Sequence, residues 1–338
     1  MDMSPDSKEL NLLGVTEGTD KTFLGNDYLT HYSRLFEAMR HDDINILEIG
    51  VWNGASLRTW RNYFTRAKII GIDIREQCRQ YQDDRVKIEI GSQADESFLT
   101  KVAEEFKPTI IIDDGSHVSD HQIVSLETLF PLMMPGGIYV IEDLFFQVNP
   151  VTAESCRGTG PILAIDYLLA CARDRSSWTL EDPTAERRRR LIVSYLNRLE
   201  FLAGSAVLHK HKNIATPLEI AELSEATLKD TFVPFAWDRV YLHAIFWAER
   251  GDLEERVALM EIAVRTAQMA YRTDKIADSY QARISQMRDI QQRLADEVLE
   301  ARTAFDTAHG PAKYAELKAK MDGLLSATAP PTATPTPS

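Results

Sequence analysis

Short apolar runs alternate with amphipathic stretches between residues 45 and 141, and this alternation constrains the fold more than any other feature of the sequence. The runs are rich in isoleucine and valine, which favour strands, and lie at 45–50, 68–73, 86–90, 109–112 and 138–141. The stretches between them have helical periodicity and lie at 55–64, 98–105 and 121–132. Strands and helices that alternate in this way form a parallel sheet with right-handed crossovers and helices on both faces. The sequence therefore predicts an α/β fold built on a doubly wound, mostly parallel sheet.

The rest of the 338-residue chain leaves room for a second unit. The pattern predicts a helix at 162–173, one or two strands within 198–212, and further helices after residue 213, including a long amphipathic helix at 276–298. We expect an N-terminal segment that is a candidate lid at 1–30, a sheet domain at 31–213, an α-helical appendage at 214–325, and a disordered tail rich in alanine, threonine and proline at 326–338. The apolar face of the appendage needs a covering surface, either the sheet domain or a second subunit, and we expect a homo-oligomer.

The composition argues against several classes of partner. A net charge of −13 disfavours nonspecific binding to nucleic acid or to an anionic membrane surface. No apolar run approaches the roughly 20 residues that a membrane helix needs, and the N-terminus has no apolar signal core. Cys78, Cys156 and Cys171 lack the spacing of a metal site, so reduced thiols are expected. We therefore expect a cytoplasmic protein without nucleic-acid or membrane partners.

Acidic residues follow two of the predicted strands. The run Asp113-Asp114-Gly115-Ser116-His117 follows the strand at 109–112, and Glu142-Asp143 follows the strand at 138–141. Neighbouring parallel strands would bring both groups to the carboxyl edge of the sheet, where open α/β sheets bind ligands. Converging carboxylates repel one another unless a cation neutralises them. The pattern therefore predicts a hard metal ion with a histidine beside it.

The loop after the first predicted strand contains glycines suited to a bound cofactor. Gly50 allows a tight turn and lets a ligand approach the main chain, and Gly54 permits close packing of the next helix. The Gly-x-Gly-x-x-Gly pattern of a dinucleotide site is absent. Asp73 ends the second predicted strand, where an acid can bind both ribose hydroxyls, and the polar segment after the third strand can contact an adenine edge. The residues that we assign to one extended nucleoside site are Glu48, Gly50, Gly54, Asp73, Ser92 and Gln93.

These motifs together resemble a known enzyme family. The loop from Glu48 to Gly54, Asp73, the segment Ser92-Gln93-Ala94-Asp95 and the turn Pro135-Gly136-Gly137 are similar to motifs of class I S-adenosylmethionine-dependent methyltransferases. A narrower resemblance is to the metal-dependent sugar O-methyltransferases of natural-product pathways, such as the mycinamicin-type macrolide and tetracenomycin-type rhamnosyl enzymes. The motifs that carry it are Gly18-Thr19-Asp20-Lys21, His31-Tyr32, Asp113-Asp114-Gly115-Ser116-His117 with the following Val118-Ser119-Asp120-His121-Gln122, and Ile141-Glu142-Asp143-Leu144. The resemblance covers roughly residues 14–212.

The resemblance implies a Rossmann-like methyltransferase fold with S-adenosylmethionine and Mg²⁺ as cofactors. It implies that Asp114, Glu142 and Asp143 hold the magnesium ion and that His117 is the general base. Asp113 would contact the cofactor or orient His117. The chemistry is coherent, because a divalent cation lowers the pKa of an alcohol and a nearby histidine can then accept its proton. His121 falls inside the following predicted helix, and we expect a structural role for it.

We therefore expect a magnesium-dependent O-methyltransferase that acts on a sugar hydroxyl of a glycosylated small molecule in antibiotic biosynthesis. Two alternatives retain the same motifs, namely an O-methyltransferase for catechols or other vicinal diols and a cephalosporin hydroxylase-like protein. A third is a non-catalytic cofactor-binding accessory protein whose C-terminal helices recruit a partner enzyme. Methylation assays across sugars and catechols separate the two methyltransferases, and nucleoside binding without turnover would mark the accessory protein.

Overall fold

The computed structural model describes residues 3–176, 187–202, 204–212, 296, 299–300, 302–316 and 319. The chain divides into two compact units, of which the first comprises Met1–Thr179 with Tyr195–Asn213 and the second Leu180–Ser194 with Ile214–Ser338. In the second unit, residues 302–309 and 311–316 are helical. The long helix expected at 276–298 lies almost wholly outside the described residues, and the tail expected at 326–338 lies entirely outside them.

The first unit alternates strands and helices in the predicted order. The strands are β1 Asn45–Ile49, β2 Lys68–Asp73, β3 Val86–Ile90, β4 Ile110–Asp113, β5 Ile138–Ile141, β6 Leu196–Leu202 and β7 Ser205–Lys210. The described α-helices of the chain up to β6 are α1 Pro5–Glu17, α2 Tyr28–Phe36, α3 Ala55–Tyr63, α4 Glu96–Phe106, α5 Ser119–Leu132, α6 Ala153–Cys156, α7 Ala164–Ser176 and α8 Arg187–Tyr195. Short 3-10 helices lie at Glu37–Met39, Glu76–Tyr81 and Leu144–Gln147.

The strands form one seven-stranded sheet in the order β3-β2-β1-β4-β5-β7-β6. Strands β1 to β5 are parallel, and the hairpin of β6 and β7 adds two antiparallel strands beside β5. This topology confirms the predicted mostly parallel sheet. The register aligns Ile49 with Asp113 and Asp113 with Ile141, so the loops that follow β1, β4 and β5 leave the sheet at the same edge.

The sheet is buried on both faces, as its continuous apolar strands require. All four residues of β4 and all four of β5 are buried. Helices α1, α2 and α3 pack together, and their apolar side chains join those of the sheet in a single cluster that contains Leu10, Tyr32 and Trp60. Helices α4, α5 and α7 form a second packed group. None of the described helices combines the length and apolar character needed to cross a bilayer.

The turn between α1 and α2 has a fixed conformation. Helix α1 ends at Gly18, whose φ of 80° is in the left-handed region that favours glycine. The backbone N–H of Phe23 donates to Oδ1 of the buried Asn11 at 2.8 Å, and the N–H of Leu29 donates to the carbonyl of Lys21 at 2.9 Å. These bonds hold residues 19–27 against the two helices and so determine where Lys21 lies.

Candidate functional site

The loops at the carboxyl edge of the sheet surround a cavity of about 730 Å³. Its wall includes residues 18–21 as well as the loops that follow β1 to β5. The predicted site residues that line it are Gly50, Asp73, Ser92, Gln93, Asp114, His117 and Asp143. The predicted site residues that do not line it are Glu48, Gly54, Asp113 and Glu142. The structure therefore brings seven of the predicted residues to one cavity, some from the predicted nucleoside site and some from the predicted acidic site.

Gly50 is required because two loops of the site touch there. Its φ is 95°, and a Cβ atom at this position would lie 2.0 Å from the carbonyl oxygen of Asp114. No side chain fits in that space, so the glycine lets the loop after β1 contact the loop after β4 directly. Gly54, at the start of α3, has a φ of 72°, and a Cβ there would lie 2.7 Å from the ring of Tyr81. Both glycines serve close packing, and only Gly50 lies on the cavity wall.

Asp73 accepts hydrogen bonds from both the loop after β1 and its own loop. Its Oδ2 accepts from the N–H groups of Val51 at 3.0 Å and Trp52 at 3.1 Å, and its Oδ1 accepts from the N–H of Arg75 at 2.9 Å. The guanidinium of Arg75 donates to both carboxylate oxygens and stacks 4.8 Å from the ring of Trp52. Burial alone would raise the pKa of Asp73, but the bonds from Arg75, Trp52 and Val51 hold the pKa below its usual range. The sequence analysis missed Arg75, although its position two residues after Asp73 was a local signal.

Asp113 anchors the loop after β4 from inside the protein. The carboxylate is fully buried and accepts from Nε2 of Gln93 at 3.1 Å and from Oγ of Ser125 at 2.5 Å. Oε1 of Gln93 in turn accepts from the N–H of Ser116 at 2.7 Å. Burial raises the pKa of Asp113, and the bonds from Ser125 and Gln93 counteract part of that rise. Gln93 therefore links the loop after β3 to the loop that carries His117.

Asp114, His117 and Asp143 form a group that could hold a metal ion. Each offers one ligand atom, and these atoms all lie within 4.8 Å of one another. Nε2 of His117 lies 3.7 Å from Oδ2 of Asp143, while Oδ1 of Asp143 accepts a hydrogen bond from the hydroxyl of Tyr28 at 2.7 Å. Nδ1 of His117 is buried with no hydrogen-bond partner among the described residues. Two carboxylates beside an imidazole are a donor set suited to a divalent cation.

Glu142, the third predicted metal ligand, lies outside that group and is held by other residues. Its Oε1 accepts from the hydroxyl of the buried Tyr32 at 2.7 Å, and its Oε2 contacts Nζ of Lys21. The same ammonium lies 2.5 Å from Oδ2 of Asp114 and 3.8 Å from Oε1 of Glu48. Burial raises the pKa of Glu142 well above its usual value, while Lys21 counteracts the rise. For Lys21, burial alone would lower the pKa, but Asp114 and Glu142 raise it well above its usual value.

Lys21 was not assigned to the site from the sequence because it lies 93 residues before Asp114. No local periodicity connects two positions at that separation. Two sequence features together could have indicated this contact. The acids have no basic residue next to them in the sequence, and a lysine ends the run Gly18-Thr19-Asp20-Lys21, which is one of the motifs that carry the resemblance.

Glu48 is fully buried beneath the loop after β1. Its Oε2 accepts a hydrogen bond from Nε1 of Trp60 at 3.0 Å. Burial raises the pKa of Glu48 to about 7, and the nearby Lys21 acts in the opposite direction. The described contacts of Glu48 thus connect α3 with the acidic half of the site.

His121 lies in the first turn of α5 and also lines the cavity. Its Nδ1 is 2.9 Å from the hydroxyl of Ser116. This contact joins α5 to the loop of His117, so the two histidines occupy different environments within the same cavity.

Comparison with known proteins gives several relatives, although no protein-family model matches the chain. The 8-demethyl-8-(2-methoxy-alpha-L-rhamnosyl)-tetracenomycin-C 3'-O-methyltransferase of Streptomyces olivaceus is 34% identical over 233 residues, which are 65% of this chain and 56% of that protein. Demethylmacrocin O-methyltransferase of Streptomyces fradiae is 40% identical over 131 residues, 36% of this chain and 33% of that protein. Mycinamicin VI 2''-O-methyltransferase of Micromonospora griseorubida is 38% identical over 145 residues, 39% of this chain and 36% of that protein. The chain thus spans between about a third and somewhat over half of the length of these relatives.

Solved structures are also similar to this chain. The MycE methyltransferase of the mycinamycin biosynthetic pathway, in complex with Mg, SAH and mycinamycin VI, matches with a TM-score of 0.51 and 29% identity over 63% of this chain and 57% of that chain. A second crystal form of that protein, with Mg and SAH, matches with a TM-score of 0.52 and 28% identity over 68% of this chain and 60% of that chain. These similarities confirm the resemblance predicted from the motifs and the fold class predicted from the strand pattern.

Proposed function

We propose that this relative of the sugar O-methyltransferases transfers a methyl group from S-adenosylmethionine to a sugar hydroxyl of a glycosylated small molecule, with Mg²⁺ as a second cofactor. The observation that carries the proposal is one cavity lined by Gly50 and Asp73 on one side and by Asp114, His117 and Asp143 on the other. The names of the relatives support the acceptor class, and the Mg and SAH in the solved MycE complexes support the two cofactors.

The nucleoside half of the cavity suits the cofactor. S-adenosylmethionine would supply the methyl group, as an electrophilic carbon on a sulfonium sulfur. Gly50 lines the cavity, and the ionised Asp73 can accept hydrogen bonds from ribose hydroxyls in exchange for those of Arg75. Ser92 and Gln93 line the cavity at the end of β3, on the side where we expect the adenine ring.

The acidic half of the cavity offers oxygen and nitrogen atoms that suit a divalent cation. Asp114 and Asp143 would hold the ion through carboxylate oxygens, and the partnerless Nδ1 of His117 marks polar space beside them. Magnesium, when bound there, lowers the pKa of an alcohol that approaches it. We also retain Glu142 as a proposed ligand, which requires that its present partners release it.

His117 is the proposed general base. In the reaction, the proton of the acceptor hydroxyl passes to the imidazole, the hydroxyl oxygen forms a bond to the methyl carbon, and the carbon–sulfur bond breaks with its electron pair on sulfur. Asp143, whose Oδ2 lies 3.7 Å from Nε2 of His117, can stabilise the protonated imidazole.

The test is a methylation assay with S-adenosylmethionine across sugar and catechol acceptors, with and without a chelator. We expect turnover on a glycoside that chelation abolishes and Mg²⁺ restores. His117→Ala should lower turnover by about 10²–10⁴-fold, the usual range for general acid–base catalysis, without changing cofactor affinity. His121→Ala is the matched control, and the folded variant should retain turnover.

Several results would contradict parts of this proposal. Full activity in excess chelator would exclude a metal requirement, and loss of turnover in His121→Ala but not in His117→Ala would show that the base is misassigned. Turnover on catechols alone would favour the vicinal-diol alternative. Cofactor binding without turnover on any acceptor would favour the accessory protein.

A further inference from the structure

Lys21 provides a positive charge inside the acidic cluster of the site. Its side chain is 2% exposed, and its ammonium group lies 2.5 Å from Oδ2 of Asp114 and in contact with Oε2 of Glu142. Glu48 lies 3.8 Å from it. One buried cation therefore faces three carboxylates, two of which are proposed to bind the metal ion.

The contacts of Lys21 use atoms that a metal ion would need. Tyr32 donates to one oxygen of Glu142 and Lys21 to the other, so a metal ion that binds Glu142 would compete with Lys21 for the second oxygen. One oxygen of Asp114 is likewise held by the ammonium. A divalent cation at these carboxylates would also repel an ammonium group a few ångströms away.

We propose that Lys21 is the internal counter-ion of Asp114 and Glu142, that it positions these two residues, and that it competes with a divalent cation for them. This inference rests on the proposed function for the identity of the cation. Without a counter-ion the buried carboxylates would be uncompensated, which is strongly unfavourable. Lys21 supplies that charge, and binding of the ion would release it.

Release of Lys21 from the acids would also affect the half of the cavity that we propose for the cofactor. Gly18, Thr19, Asp20 and Lys21 all line the same cavity as Gly50. The carbonyl of Lys21 accepts from the N–H of Leu29 at 2.9 Å, so the side chain can leave the acids while its backbone remains attached to α2. Because Lys21 lines the cavity, its displacement would give metal binding a route to affect cofactor binding.

The experiment is calorimetric titration of MgCl₂ into the full-length wild-type protein and into Lys21→Met, which removes the charge but keeps the length of the side chain. We expect Lys21→Met to bind Mg²⁺ about tenfold more tightly or better, because a repelling unit charge at short range has been removed. Lys101→Met, at an exposed position of α4, is the matched control and should bind like the wild type. Lys21→Arg keeps the charge and should bind no more tightly than the wild type.

A second measurement on the wild type covers the case in which Lys21→Met does not fold. Buried lysine ammonium groups can be observed by ¹⁵N NMR, and the signal of Lys21 can be assigned by its loss in Lys21→Arg. Saturating Mg²⁺ should shift this signal strongly or remove it, and the signals of other lysines should stay in place.

The outcomes separate the two proposals. If the wild type binds Mg²⁺ but Lys21→Met binds it equally or more weakly, or if Mg²⁺ leaves the Lys21 signal unchanged, the competition is refuted and the metal site stands. If neither protein binds Mg²⁺, the competition and the metal requirement of the proposed function both fail.

Discussion

Asp73 illustrates how contacts of a single residue keep a carboxylate ionised. Its partial burial favours the protonated form, but the guanidinium of Arg75 and three backbone N–H groups favour the anion and lower the pKa below its usual range. The carboxylate is therefore an acceptor at any pH used for an enzyme assay. Arg75 donates to both oxygens in the structure and occupies the position that we propose for a ribose diol.

Replacement of Asp73 by alanine should weaken S-adenosylmethionine binding by about 1–3 kcal/mol, the scale for hydrogen bonds to a charged group. Isothermal calorimetry measures this directly. Asp73→Asn is the matched variant, since it keeps the shape and one acceptor and should lose less. Unchanged affinity in Asp73→Ala would remove Asp73 from the cofactor site.

At the scale of the elements, the best predictions were those of strands whose pattern lies in a short stretch of sequence. The runs of isoleucine and valine gave β1 to β5 to within a residue or two, because strands buried on both faces have a continuous apolar pattern. Gly50 was predicted from its position in a loop. The contact of Lys21 with Asp114 and the insertion of β7 between β5 and β6 could not be predicted, because both depend on how distant segments pack and leave no periodic trace.

The contact between the loops after β1 and β4 can be tested with two glycine variants. Gly50→Ala places a Cβ 2.0 Å from the carbonyl oxygen of Asp114 and also requires a φ of 95°. Gly18→Ala requires a φ of 80°, but its Cβ would meet nothing within 4 Å. We expect Gly18→Ala to cost roughly 1–2 kcal/mol of unfolding free energy and Gly50→Ala to cost about 1–3 kcal/mol more. Urea denaturation measures both, and equal costs would show that the two loops do not touch as described.

At the scale of the whole molecule, the buried acids make stability depend on pH. The pKa of Glu48 is about 7 in the folded protein, against an ordinary value of 4.5. Between these values the folded state binds more protons than the unfolded state, so unfolding free energy falls as the pH rises. The stabilising contribution of Glu48 is therefore complete below pH 4.5 and is lost as the pH rises through about 7.

Glu48→Gln isolates this contribution, because a neutral amide cannot titrate. The unfolding free energy of the wild type minus that of the variant should fall by about 1–3 kcal/mol from pH 4.5 to pH 7.5, by the usual relation of pKa to free energy. Titrating groups that do not interact with Glu48 are common to both proteins and cancel in the difference. A difference that stays constant with pH would show that folding does not raise the pKa of Glu48.

The position of β7 has a consequence for the newly made chain. Strand β5 pairs with β7. The loop that carries Glu142 and Asp143 is held by Gly204, whose carbonyl accepts from the N–H of Leu144 at 2.9 Å. These partners are translated about 60 residues later, which at roughly 5–20 residues per second is a delay of several seconds. During that delay the edge of β5 is an unpaired strand beside the acids of the site. The edge of β5 next to Glu142 and Asp143 is therefore open to pairing with the edge strand of another chain until β7 has been made.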